Sequence, residues 1–235
     1  MRRPRGHKKK EKIMESKWSL IELFNLGGPF MWILLVFSIA TLTIIIERCI
    51  YIGWHDCKVT PLSNKVKQLL REGKKDEAEK MLSELSHKKT AATILYALLS
   101  NAKFGEARME NAAECEAQER IRRMENGFNY LTALSSIAPL TGFLGTVSGM
   151  IGAFKSIAAA TDVNAQLVAN GIYEALITTV FGLIIAIAAL VAYNLLVQRV
   201  DTFAAETSKC INDLIPELLE DKSADDFDNR LERRA

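Results

Sequence analysis

Thr141, Thr146 and Ser148 punctuate a stretch, Phe128–Phe154, that holds no Asp, Glu, Lys or Arg, and Glu174, Thr178 and Thr179 stand at the head of another, Ala175–Gln198. A hydroxyl in such a setting can serve a proton route, help hold a sodium ion, or simply bond the carbonyl of its own helix one turn back. A carboxylate at membrane depth either faces a bundle interior or a water-filled cavity, or sits hydrated at the interface beside a partner such as Lys155. Both readings of Glu174 are open. At about 100° per residue Glu174 and Thr178 share a helix face, while Thr179 lies about 140° from Glu174. Gly182, Ala186 and Ala189 continue the Thr179 face, so one helix offers a polar face towards a lumen and a small-residue face towards another helix. Gly142, Gly145, Gly149 and Gly152 recur at steps of three and four, the spacing that lets helix backbones approach closely in lipid. Close packing alone accounts for the glycines.

Other chemistry finds no support in the residues. The uncharged stretches contain no Ser/His pair and no paired Asp, so an intramembrane hydrolase lacks its constellation and no enzymatic activity is expected. Cys49, Cys57, Cys115 and Cys210 form no CxxC pair and no metal-ligand spacing, which predicts free thiols in a reducing compartment, with no metal or other cofactor. Residues 1–17 are strongly basic but bring no base-reading helix or aromatic platform, so nucleic acid is not an expected partner.

The elements that position these residues follow from the charge distribution. The chain has 235 residues, 30 Lys/Arg, 28 Asp/Glu and 49% hydrophobic residues, averages that would suit a soluble domain. Those averages mix two populations, because a third stretch, Leu23–Ile46, is also uncharged and every charge lies outside the three. A spanning helix needs about 20 apolar residues, and a mid-bilayer charge costs at least ~2.5 kcal/mol, so each stretch predicts a transmembrane helix. The fold class is an all-α integral membrane protein with three transmembrane helices.

In order, the sequence predicts a basic tail at 1–17 with Met14 as a second possible start, an interfacial amphipathic segment at 18–28, and a first span at 29–54. Glu47 and Arg48, followed by Tyr51 and Trp54, mark the membrane boundary of that span. Short amphipathic helices fill 55–110. A long helix at 111–157 includes the second span, a hairpin occupies 158–166, and a second long helix at 167–219 includes the third span. Leu196, Val200, Phe203, Thr207, Ile211, Leu214 and Leu218 keep steps of three or four beyond the third span, with Pro216 as a kink point. The two long helices are therefore expected to extend into a helical stalk, and the tail at 220–235 to be disordered. The whole connection between the second and third spans, 155–174, carries a single Lys/Arg, Lys155, which places it outside, the N-terminus with it, and the stalk and C-terminus in the cytoplasm.

With these residues in view the chain resembles the MotA/TolQ/ExbB proton channel family, most closely its three-span TolQ/ExbB branch. Four patterns carry the resemblance: SerLeuIleGluLeuPhe with GlyGlyPro at 19–29, IleIleGluArgCysIleTyr at 45–51, AlaProLeuThrGlyPheLeuGlyThrVal within 138–154, and GlyIleTyrGluAlaLeuIleThrThr within 171–189. Asn170 departs from the commoner Pro. The resemblance implies a homo-oligomer of the bacterial inner membrane, a pentamer, surrounding the single helix of an ExbD/TolR-like partner that carries a membrane Asp. It implies that Thr146 and Thr179 face that helix and line the proton route, and that Glu174 lies towards the pore. A TonB/TolA-like periplasm-spanning protein would receive the work. The branch, the process powered, and a sodium-driven or motility-type stator remain open, as does a non-conducting membrane scaffold.

Overall fold

The computed structural model describes residue 24 and residues 27–54, 58–86, 89–159 and 165–232, with backbone alone for 54, 165–168, 170, 174 and 220–232. The basic tail, most of the interfacial segment and the middle of the expected hairpin lie outside these residues. Every regular element among them is helical: α1 (Gly28–Trp54), α2 (Val59–Arg71), α3 (Lys75–Ser86), α4 (Thr90–Asn101), a 3₁₀ turn (Ala102–Phe104), α5 (Glu106–Glu125), α6 (Phe128–Ala159) and α7 (Ala165–Glu232). Three helical stretches, in α1, α6 and α7, are long and apolar enough to cross a membrane. The chain divides into two compact units: residues 1–40 with 134–188, and residues 41–133 with 189–235.

The second unit is built as a water-soluble helical domain is. In α2, Val59, Ser63, Val66 and Leu70 are buried at steps of three and four while the opposite face is polar. The helix ends in a Schellman motif: Gly73 adopts φ +70°, its N–H donates to the Leu70 carbonyl at 2.9 Å, and the Lys74 N–H donates to the Leu69 carbonyl at 2.9 Å. Asp76 and Glu77 then occupy the first turn of α3, where carboxylates favour the helix dipole. α4 is buried along Ala91, Ala92, Ile94, Leu95, Leu98 and Leu99, and forms the centre of the core. Met109 and Met124 of α5, Leu131 of α6, and Phe203, Leu214 and Leu218 of α7 complete it. Each such large side chain contributes about 1.5–3 kcal/mol by leaving water.

The first unit is built otherwise. Its buried core is short, comprising Met31, Leu34, Ala138, Ile177 and Ile185, while Trp32, Leu140, Phe143, Phe154 and Ile187 stand more than 60% exposed. A surface of that kind belongs against lipid or other apolar helices. Pro29 lies in the first turn of α1, where a missing N–H costs no hydrogen bond.

Two elements differ from expectation. The helix foreseen at 111–157 is broken between Glu125 and Phe128, because Asn126 is extended and Gly127 adopts φ +91°, which only glycine enters without strain. The tail foreseen as disordered from 220 continues α7 to Glu232. That segment has too few apolar residues to fold alone, but it has no Gly or Pro, and extending an existing helix avoids the nucleation cost.

Candidate functional site within the membrane unit

In the first unit α6 and α7 meet through hydroxyls and glycines rather than large side chains. The Thr146 and Thr179 hydroxyls are hydrogen-bonded to each other. Around them converge two backbone carbonyls: Ala175 O lies 3.1 Å from Thr146 Oγ1, and Gly142 O lies 3.0 Å from Thr179 Oγ1 and 3.3 Å from Thr146 Oγ1. Each hydroxyl has one proton to give. Two senses of donation therefore satisfy the pair: Thr179 donates to Thr146, which donates to Ala175 O or Gly142 O, or Thr146 donates to Thr179, which donates to Gly142 O. They run in opposite directions and interconvert by rotating two O–H bonds, so the pair is a two-hydroxyl chain of reversible polarity that ends on a backbone carbonyl in either sense. Thr141 takes the ordinary alternative and donates to its own helix at Ile137 O, 3.0 Å away.

The approach that forms this pair depends on missing side chains. A Cβ on Gly142 would lie 2.8 Å from the Thr178 carbonyl oxygen, one on Gly182 2.6 Å from the Ala138 carbonyl oxygen, and one on Gly145 2.5 Å from Thr178 Oγ1. At Gly149 a Cβ would come within 3.0 Å of Ala175 Cβ. Gly152 has no atom within 4 Å of such a position and instead borders a cleft of about 340 Å³ with Ser148, Ser156 and Pro29. Gly171 was not among the glycines singled out for packing, yet a Cβ there would sit 2.5 Å from Ala153 Cβ.

Thr178 is placed differently from the expectation that it lines an open lumen with Glu174. It is 2% exposed, and its hydroxyl donates to Ala175 O at 2.8 Å while approaching Gly142 O at 3.3 Å. The cause is local: Gly142 and Gly145 leave room on α6 that the Thr178 side chain fills. Glu174 lies on α7 one turn before Thr178, and only its backbone position is described.

The boundary pair behaves as more than an interfacial anchor. Arg48 is 8% exposed, binds Glu47 through Nε and Nη2 at 2.6 and 2.8 Å, and lies 5.3 Å from the Tyr51 ring centroid. Its Nη1 donates to the Arg123 carbonyl at 3.0 Å, so a cation from α1 satisfies one of the open carbonyls where α5 ends. A Cβ at Gly127 would lie 3.5 Å from Arg48 Nε, which ties the helix break to the same contact. The Asn-Gly dipeptide was the available sequence signal for that break.

Far beyond the uncharged stretch of α7, Glu217 accepts from Arg71 at 2.7 Å and pairs with Lys67 at 3.0 Å. The Arg71 and then the Lys67 hydrogen bonds hold its carboxyl down to about 2. This clamp joins α2 to α7 inside the second unit. Among the described residues no group of three or more His, Cys, Asp or Glu is placed to hold a metal ion.

The chain matches the MotA/TolQ/ExbB proton channel family over residues 60–209, a range that includes Thr146, Glu174 and Thr179. It is 32% identical over 200 residues to the putative biopolymer transport protein ExbB-like 1 of Synechocystis sp., which spans 81% of this chain and 77% of that one. The biopolymer transport protein exbB1 of Vibrio cholerae is 30% identical over 200 residues, covering 83% of this chain and 86% of the relative. The Tol-Pal system protein TolQ of Haemophilus influenzae is 39% identical over 93 residues, 40% of this chain and 41% of that one.

Proposed function

Because the chain belongs to the MotA/TolQ/ExbB proton channel family, we propose that it is an ExbB/TolQ-like subunit of an inner-membrane proton channel that converts proton motive force into mechanical work on the cell envelope. In this reading several copies, five by family resemblance, surround the membrane helix of an ExbD/TolR-like partner. Thr146 and Thr179 face the proton route, and Glu174 lies towards the lumen. The N-terminus is periplasmic and the C-terminus cytoplasmic. Moving one charge through 100 mV releases ~2.3 kcal/mol, so a substantial step of the partner uses several protons.

One observation carries the proposal: the two threonine hydroxyls are paired across α6 and α7 in a two-hydroxyl chain that can reverse its direction. A hydroxyl relays a proton but does not hold one at neutral pH. The three uncharged stretches supply no Asp, His or Lys to do so, and a carboxylate from a second chain completes the relay. A TonB/TolA-like protein is the natural receiver of the work.

The tight glycine seam supports a second reading, a membrane scaffold that holds partners without conducting. Purification from native membranes in gentle detergent, followed by native mass spectrometry, separates the readings. A homo-oligomer carrying a substoichiometric single-span protein with a membrane Asp is the expected result. An isolated chain, or a complex with no membrane carboxylate, would refute the proton-channel assignment.

A further inference from the structure

Within the second unit, the end of α1 and the part of α7 just past its uncharged stretch border a groove of about 490 Å³. Cys49, Ile52 and Leu196 give it an apolar wall, and Lys58 and Arg199 place two cations on it. Neither cation has an ion-pair partner among the described residues. Glu206 also borders the groove, with its carboxylate approached by the Thr60 hydroxyl at 3.5 Å, so the lining keeps one net positive charge. Gly53 has no atom within 4 Å of where a Cβ would stand, which marks open space beside the helix.

The placement of the charges is informative. Arg199 is the first charged residue after Ala175–Gln198, and Lys58 follows the end of α1 by four residues. Where the charges of a spanning helix begin is where lipid headgroups begin, at Glu47 and Arg48 on α1 and at Arg199 on α7, with Lys58 on the aqueous side of that level. On α1, Leu42, Ile46, Cys49 and Gly53 follow one another at steps of four, three and four, and Leu42 and Ile46 are 59% and 49% exposed. An exposed apolar stripe on one helix face thus runs into a groove that carries two cations with no ion-pair partner among the described residues. Basic pockets between helices at a membrane boundary suit anionic lipid headgroups.

We propose that this groove holds an anionic glycerophospholipid, with its phosphate between Lys58 and Arg199 and one acyl chain along Leu42, Ile46 and Cys49. The inference rests on α1 and α7 spanning the membrane and is independent of any proton route. The occupant is a lipid rather than a free anion because the cations sit at the head of an apolar track that inorganic phosphate would leave uncovered.

The test uses the full chain, with whatever assembles on it, in nanodiscs of phosphatidylethanolamine containing a minor fraction of phosphatidylglycerol, followed by gentle release and native mass spectrometry. The wild type should retain phosphatidylglycerol, and the double variant Lys58→Gln with Arg199→Gln should retain about tenfold less. Gly53→Leu, which fills the groove and keeps both cations, should lose the lipid as well. Lys65→Gln with Lys80→Gln removes two exposed charges elsewhere and should leave retention unchanged. Equal retention in the double variant, displacement of the lipid by millimolar inorganic phosphate, or a second copy of the chain cross-linked through Cys49 in place of lipid would each overturn the proposal.

Discussion

The two units of this chain are both helical, yet they bury opposite kinds of residue. The unit of residues 41–133 and 189–235 closes over Phe203, Leu95, Leu98, Met109 and Leu214. The unit of residues 1–40 and 134–188 has only a short apolar core around Met31, Leu34, Ile177 and Ile185, joins α6 to α7 through glycines, alanines and threonine hydroxyls, and leaves most of its large side chains outside. In water the removal of large apolar side chains from solvent drives helices together. In lipid that drive is absent, and association relies on close backbone contact and hydrogen bonds between helices. The same substitution should therefore do different things in the two units.

The largest effect is expected from truncating a large side chain in the second unit. Phe203→Ala removes a 2% exposed ring and should cost about 3–5 kcal/mol, read as a fall in the unfolding midpoint of the detergent-solubilised chain. Phe143→Ala, at a 63% exposed position in the first unit, should change stability by less than about 0.5 kcal/mol. Equal losses at both positions would break the comparison.

Within the first unit, adding a single methyl group should matter only where the helix backbones meet. Gly182→Ala forces a Cβ to within 2.6 Å of a backbone carbonyl that cannot yield cheaply, a cost of about 1–3 kcal/mol, whereas Gly152→Ala meets open space and should be neutral. Differential scanning of the two variants in the same detergent would decide it.

Next in size is Arg48→Leu, which leaves the Arg123 carbonyl without its charged donor and should cost about 1.5–3 kcal/mol, the lower figure if water reaches the carbonyl. Hydrogen exchange at the C-terminal turn of α5 should rise in this variant and not in Glu47→Gln. If Arg48 were an interfacial anchor alone, exchange there would not change.

The smallest effect concerns the Glu217 clamp. Its carboxyl is held down to about 2 against an ordinary 4.5, so the stability it lends is complete above pH 4.5 and is lost as pH falls towards 2. Between pH 6 and pH 3 the wild type should lose more stability than Glu217→Gln. Superimposable acid profiles would remove the clamp from the account.

Much of this architecture is legible in the residue order, and the gaps have identifiable causes. The absence of charge exposed all three apolar helices, since a buried charge in lipid has few ways to be satisfied. The break at Asn126–Gly127 was hidden because a polar helical pattern runs up to it and an apolar one starts directly after it, while the conformation turns on one glycine. Thr178 was assigned by face from angular spacing alone; which neighbour fills that face depends on the space Gly142 and Gly145 leave on α6. The role of Arg48 as a cap for α5 depends on a contact across 75 positions of chain, which no local pattern encodes.

The central claim is that the Thr146 and Thr179 hydroxyls carry protons and do not merely fasten two helices. Its most direct test is proton flux into liposomes, driven by an imposed potential, through the chain purified together with the proposed single-span protein. Thr179→Ser keeps the hydroxyl and should conduct at close to the wild-type rate. Thr179→Val keeps the shape and should lower flux on the order of a hundredfold while the complex remains assembled. Wild-type flux through an intact Thr179→Val complex would contradict the account and leave the seam as packing alone.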